Sequence, residues 1–528
     1  MNGRRTRIPQ LYWPALFGLA LLRFWACGPR YEPLLDDSIQ YFNYANLMGG
    51  LGDAVSRLGL LAARPLAGLL DIALWSRFWP RLHLATLLTA GLFTLSAYVF
   101  ARLFEALFGT GRAFALIYLL LPANLEATYW LSASTRILPG LLLAGLCGWL
   151  TLHALQGERR RPWLLAPAAL CCLLTLGFYE QCFVLAAALM ALIGLFWGER
   201  RSGRLLSVAL PIACYALYGA FCAAMGPSAL YGGRGALYLP IGADRQAYFS
   251  VFLPELLRQV GQVFKAVPLL TLRGLLRGLP LLGRHPLYPL LAVPLLILAL
   301  LGGRPPQRPG FALLPAALLL TLAPMAPFLV VQNPWVGLRA LGCCLPGLAL
   351  LGDAALRLLP AEPARRCGTA LVALLFLTAS LSEISDYRQT ARDDAQAVAA
   401  IAAALPQVAG AGQVGVLGLM PTYLADQNYE WHEHLHGVTE SRWALTGALR
   451  AHCRDLGVPY VTPLRQGAIY GEYTDLQAYD AFLLMRDLSQ AVPVTYDRER
   501  DAFFDPAGRM AASIERFGGG VYLTLLPE

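Results

Sequence analysis

The sequence predicts an all-α polytopic membrane bundle of about eleven transmembrane helices, followed by a small C-terminal extracytoplasmic α/β domain. Three observations predict it. Of 528 residues, 57% are hydrophobic and 14% charged, whereas a soluble globular chain carries about 25% charged residues. Apolar runs recur through residues 1–385 at lengths approaching the roughly 20 residues that a bilayer span requires. From residue 386 the character changes, because Asp386, Arg388, Arg392, Asp393 and Asp394 open a tail that stays charged. The expected division is a transmembrane domain over 1–385 and a soluble domain over 386–528.

Taken in order, the spans fall near 11–27, 82–104, 113–124, 136–155, 163–178, 182–197, 205–225, 286–302, 311–331, 339–357 and 368–385. Tilt or local thinning of the bilayer accommodates the short ones. The first run follows Arg4, Arg5 and Arg7, as in a signal peptide. It lacks a small-residue cleavage site, and Trp13, Arg23 and Trp25 interrupt it, so a retained first helix is expected. Segments 58–74 and 263–282 are also apolar. Arg64 and Asp71 interrupt one, Arg273 and Arg277 the other, so both are read as helices along the outer interface.

Loop charge gives the orientation independently. With the N-terminus in the cytoplasm, the inner loops 102–112, 158–161, 199–204, 304–308 and 357–366 each hold at least two arginines. The short outer loops 124–130, 179–181 and 332–337 hold none. This is the positive-inside pattern. It places the first loop, the loop 226–285 and the tail outside, with the protein multi-pass in the bacterial cytoplasmic membrane.

Composition excludes other classes. The net charge of +9 invites a nucleic-acid partner, but the arginines lie in short clusters between apolar runs. Lys265 is the sole lysine, which reads as a coding bias. The 11 cysteines lie mostly inside apolar runs without a CxxC, so neither disulfides nor a thiolate metal cage is expected. In the tail, a helix at 394–404, a strand at 413–419, a helix at 439–453 and strands at 458–462 and 480–485 indicate α/β.

The first outer loop reads Leu34-Leu35-Asp36-Asp37-Ser38-Ile39-Gln40-Tyr41-Phe42. Carboxylates are costly beside a bilayer, which marks Asp36 and Asp37 as the first candidates for chemistry. At a dry rim a carboxyl has a raised pKa and serves as a base toward a hydroxyl. Its neighbour would orient it or bind a divalent cation. The plain alternative is an N-cap for a helix beginning near Ser38.

An N-in first span, an acidic pair early in a long outer loop and interfacial helices before the second span resemble the GT-C superfamily of membrane glycosyltransferases. That superfamily includes protein mannosyltransferases, the aminoarabinose transferase of lipid A and the serotype-converting glucosyl transferases. Arg64-Pro65-Leu66 belongs to the same likeness, which covers roughly residues 1–385 in architecture and a few short stretches in motif. The resemblance implies a polyprenyl-phosphate sugar as donor and an extracytoplasmic glycan, lipid or protein as acceptor. It implies Asp36 as general base with Asp37 as its partner. A departing lipid phosphate needs cations, and Arg64, Arg136 and Arg339 all stand at outer span ends. Ordinary snorkelling is their plain reading. Glu126 lies in the outer loop 124–130 and Glu180 in the turn 177–181. Tyr129, Trp130 and Tyr179 read first as an interfacial belt, and they would also stack on a sugar ring. The turn itself accounts for Gly177.

His432-Glu433-His434-Leu435-His436 matches H-E-x-x-H, a zinc-hydrolase pattern. Gly437 stops any helix there and no third ligand is well placed, so a solvated helix end is expected instead. A transporter, flippase or glycan polymerase is the main competing class. Such proteins put charges at mid-span and show repeats, whereas here the acids gather at one face and no repeat is evident.

Overall fold

The computed structural model describes residues 8–57, 63–156, 161–226, 237–305, 312–332, 334–419 and 437–527. The chain is mostly helical and falls into two compact units. One comprises Met1–Arg30, Leu51–Leu74 and Pro80–Ser385; the other comprises Tyr31–Gly50, Trp75–Trp79 and Asp386–Glu528.

In the first unit the principal helices are α1 (Tyr12–Phe24), α2 (Pro65–Ala73), α3 (Leu82–Phe108), α4 (Arg112–Leu120), α5 (Leu125–Thr128), α6 (Leu131–Leu155), α7 (Leu165–Leu176) and α8 (Glu180–Trp197). They continue with α9 (Arg201–Met225), α10 (Leu253–Arg284), α11 (Leu287–Gly302), α12 (Leu313–Leu322), α13 (Leu341–Arg357) and α14 (Glu362–Ala404), whose residues from Asp386 belong to the second unit.

Among the described residues, eight helical runs are long and apolar enough to cross a membrane. Seven of them overlie spans read from the sequence. The eighth, Arg245–Arg284, contains the 263–282 segment expected to lie along the interface. The runs expected at 11–27, 163–178 and 286–302 form shorter apolar helices. That at 113–124 forms only the nine residues of α4 before Pro122 ends it. α2 also has nine residues, about 13 Å of helix against a hydrocarbon core of about 30 Å, so it cannot cross alone.

Apolar residues also face outward: Leu205, Ile212 and Leu217 of α9 are exposed. Where helices meet, small residues set the spacing. Gly274 and Gly278 of α10 abut Ala379 and Thr378 of α14, and a Cβ on either would collide with that backbone. Arg23, fully buried near the end of α1, ties three segments together. Its guanidinium donates to Ser380 Oγ at 3.0 Å and to the Leu119 and Leu121 carbonyls and Asn124 Oδ1, each at 2.7 Å.

The second unit is built on an eight-stranded mixed sheet of order β2-β1-β4-β5-β6-β7-β8-β3. β1 (Gln413–Leu417), β2 (Tyr460–Leu464) and β4 (Ala481–Met485) run parallel, and these are three strands read from the sequence. The remainder is antiparallel: β3 (Gly467–Ile469), β5 (Ala491–Asp497), β6 (Ala502–Phe504), β7 (Met510–Phe517) and β8 (Gly520–Leu525). Helix α15 (Arg442–Cys453) and the end of α14 pack on the parallel half through Ala397, Ile401, Val414, Leu445 and Leu449.

Residues 31–50 of the first loop pack with this sheet domain. Leu35 rests on the cluster that contains Leu445 and Leu449. Ile39 lies so close to Gly447 of α15 that a Cβ there would collide with it.

Candidate functional site

Asp36 and Asp37 belong to the second unit, and all other candidate residues belong to the first. Asp37 is fully buried. Its Oδ2 accepts from Tyr31 Oη at 2.6 Å and from the Leu34 N–H at 2.9 Å. These donors precede it, so its carboxylate braces the incoming loop. Asp36 is half-buried, and its carbonyl receives the Ile39 and Gln40 N–H groups, each at 3.0 Å. Leu35 beside it is held at φ 29°, a left-handed conformation costly for a leucine. The pair is therefore rigidly placed, with Asp36 the more accessible carboxylate.

In the first unit the structure brings most of the remaining candidates together at one end of the bundle. Pro65 starts α2 and fixes its first turn. The Ala67 N–H donates to the Gly177 carbonyl at 3.0 Å, and Leu66 crowds against Gly177. Gly177 itself has φ −69°, so close approach requires glycine there, not the turn. This contact sets Arg64, which precedes α2, against the start of α8. Arg64 Nε and Nη2 donate to Glu180 Oε1 and Oε2 at 3.1 and 2.9 Å, while its guanidinium lies 4.4 Å from the Tyr179 ring centre. Glu180 stands in the first helical turn, where the backbone dipole favours an acid.

Beside them lies Arg339. Buried Glu126, on α5, accepts the Arg339 backbone N–H through Oε2 at 3.0 Å. Its Oε1 stays 3.9 Å from Arg339 Nε. Glu126 thereby fixes the backbone of the turn without engaging the guanidinium closely. That guanidinium lies 4.9 Å from the Trp335 ring centre and 5.7 Å from that of Trp130. Among the described residues it donates no side-chain hydrogen bond, and about a quarter of the side chain is exposed (26%). Arg339 is also close enough to Tyr179 to act on it electrostatically, which joins the two arginine groups.

Arg136 occupies a more interior position. It donates to Asp71 of α2 at 2.5 Å and to the Ser132 carbonyl at 2.8 Å, with both charged side chains buried. Burial pushes the Asp71 carboxyl up to about 6, and Arg136 opposes that rise. Tyr129 points elsewhere, packing on Phe24 at 5.9 Å.

Sequence reasoning treated Asp71 only as an interruption and passed over Trp335. A charge inside an apolar run was the available signal for the first; a lone tryptophan in a short loop carried none. The H-E-x-x-H run lies outside the described residues. Among those described, no group of three His, Cys, Asp or Glu gathers as a metal site. Chemically, the first-unit cluster offers a cation flanked by rings, a second cation paired to a carboxylate and a fixed turn between them, a set suited to an anion attached to a ring. No family model matches the chain, and neither the curated proteins nor the solved structures compared with it contain a match.

Proposed function

We propose that the protein is a multi-pass membrane glycosyltransferase of GT-C type that moves a hexose from a polyprenyl-phosphate donor to an extracytoplasmic glycan, lipid or protein. The observation that carries this reading is Arg339, whose guanidinium lies against Trp335 and Trp130 and, among the described residues, donates no side-chain hydrogen bond, on a turn pinned by Glu126. A guanidinium fork matches two phosphate oxygens, and aromatic rings stack on a sugar face. On this reading Arg339 and Arg64 offset the charge that develops on the lipid phosphate as it leaves. Arg136 holds α2 through Asp71 and positions Arg64.

Asp36 takes the proton of the acceptor hydroxyl as its oxygen attacks the anomeric carbon. The bond from that carbon to the phosphate oxygen breaks with inversion, and the lipid phosphate departs with the electron pair. Asp37 orients the loop. Sensitivity of transfer to a chelator decides whether a divalent cation takes part.

The same reading puts the N-terminus in the cytoplasm and the first loop and tail outside. It is supported by the arginine content of alternate loops. It is supported also by the packing of 31–50 and 75–79 with the tail in one unit, since segments that fold together share a membrane face.

The test is retention of a radiolabelled polyprenyl-phosphate hexose by purified full-length protein. Arg339→Gln should lower it about tenfold, as expected for loss of a charge-assisted bidentate contact; unchanged retention contradicts the assignment. A transporter or flippase would instead carry the intact donor across a proteoliposome bilayer without cleaving it.

A further inference from the structure

Arg339 and Arg357 flank α13, about 27 Å apart along the helix at 1.5 Å per residue. That is close to the thickness of a hydrocarbon core, about 30 Å. The far end of α13 therefore lies at the other membrane face, and it carries a second cluster that the transfer reaction does not use.

This cluster surrounds a narrow recess, with room for about one water molecule, lined by Arg112, Asp353, Arg357, Glu362, Arg365 and Arg366. Arg357 pairs with Asp353 at 2.5 Å. Glu362 Oε1 is shared between Arg112 Nη2 and Arg366 Nε, each at 3.1 Å. Arg365 Nε donates to the Leu359 carbonyl at 2.9 Å. Four guanidinium groups thus face two carboxylates, and Arg366 is near enough to Arg112 to repel it. Arg112 is 4% exposed, and its Nε makes no hydrogen bond among the described residues. A self-contained ion-pair network would balance its charges; among the described residues lining this recess, cations outnumber carboxylates by two and the buried Arg112 Nε has no acceptor.

We propose that this recess binds a phosphate group, presented either as the headgroup of an anionic membrane lipid or as a free phosphate anion. Arginine forks suit a tetrahedral oxyanion, and basic pockets between membrane helices take lipid headgroups. A phosphate at the mouth adds acceptors for Arg365 and Arg366 and relieves the repulsion between Arg112 and Arg366. The recess is too small for a sugar, a nucleotide or the whole anion, so the phosphate sits at its mouth beside Arg365 and Arg366, with any attached chains outside.

The test uses full-length protein in detergent, titrated with phosphatidylglycerol or phosphatidylcholine and read by native mass spectrometry, with inorganic phosphate as competitor. Wild type should retain phosphatidylglycerol in preference. The double variant Arg365→Gln/Arg366→Gln should lose about tenfold in retention, while Arg304→Gln, which removes an exposed charge outside the recess, should not. Retention that millimolar phosphate fails to displace identifies the lipid headgroup as ligand. Displacement, with a phosphate-dependent rise in melting temperature lost in the double variant, identifies the free anion. Equal retention of the two lipids with no effect of phosphate, or a correctly folded double variant that behaves as wild type, overturns the proposal.

Discussion

Arg136 Nη2 donates to Asp71 Oδ2 at 2.5 Å, joining α6 to α2 through a buried ion pair. The pair is made at a cost, since burial pushes the Asp71 carboxyl to about 6 against an ordinary value of 3.8. A pKa higher folded than unfolded means that the folded state holds the proton more tightly. The stability from this group is complete below about pH 4 and is lost as pH rises through about 6. Thermal melts of the wild type between pH 4 and 7 should show this limb. In Asp71→Asn it should be absent, and a variant with the same slope would show that another group titrates.

Arg23 should be a structural residue of the first order. Arg23→Met keeps much of the volume but leaves two carbonyls, Ser380 Oγ and Asn124 Oδ1 without their donor. Each buried acceptor that loses this donor costs roughly 1 kcal/mol or more, so a loss of about 4 kcal/mol is expected from equilibrium unfolding in detergent.

Glu126 acts on Arg339 through the backbone. Glu126→Gln keeps an oxygen to receive the Arg339 N–H and should retain most donor binding. Glu126→Ala should free the turn and weaken retention about tenfold, close to the effect of removing the guanidinium itself. Equal loss in both variants would mean that the charge of Glu126 matters more than its hydrogen bond.

Gly447 lets the first-loop segment reach the tail. Gly447→Val would drive a side chain into Ile39, and overpacking of this kind costs about 1–3 kcal/mol. Limited proteolysis should then cut within residues 31–50 faster than in wild type, while the same change at exposed Gly219, where a Cβ would meet nothing, should not accelerate it.

Much of this architecture was legible in the chain because lipid demands long apolar runs, and those register in any sequence window. The parallel strands β1, β2 and β4 were legible for a related reason, being short apolar runs beside turn residues. The antiparallel half was not. Pro493 interrupts β5, the charged run from Asp497 to Asp501 separates it from β6, and a register shift at Phe503 and Phe504 blurs the alternation. At the site, Arg64, Arg339, Glu126 and Glu180 stood out as charges beside apolar spans. Their pairing did not, because Arg64 meets Glu180 across 116 residues and no local period encodes that contact. The bracing of Asp37 was hidden in the same way: its donors are Tyr31 and Leu34, upstream of the turn, and no pattern of residue types announces them.

The most direct test of the catalytic reading is release of polyprenyl phosphate from a polyprenyl-phosphate hexose by purified protein, with water or added glycan as acceptor. Wild type should cleave the donor, and Asp36→Asn should be slower by about a hundredfold or more, the usual effect of losing a general base, with unchanged melting temperature and donor retention. Cleavage by Asp36→Asn at the wild-type rate, or bound donor left intact by the wild type, would contradict the account.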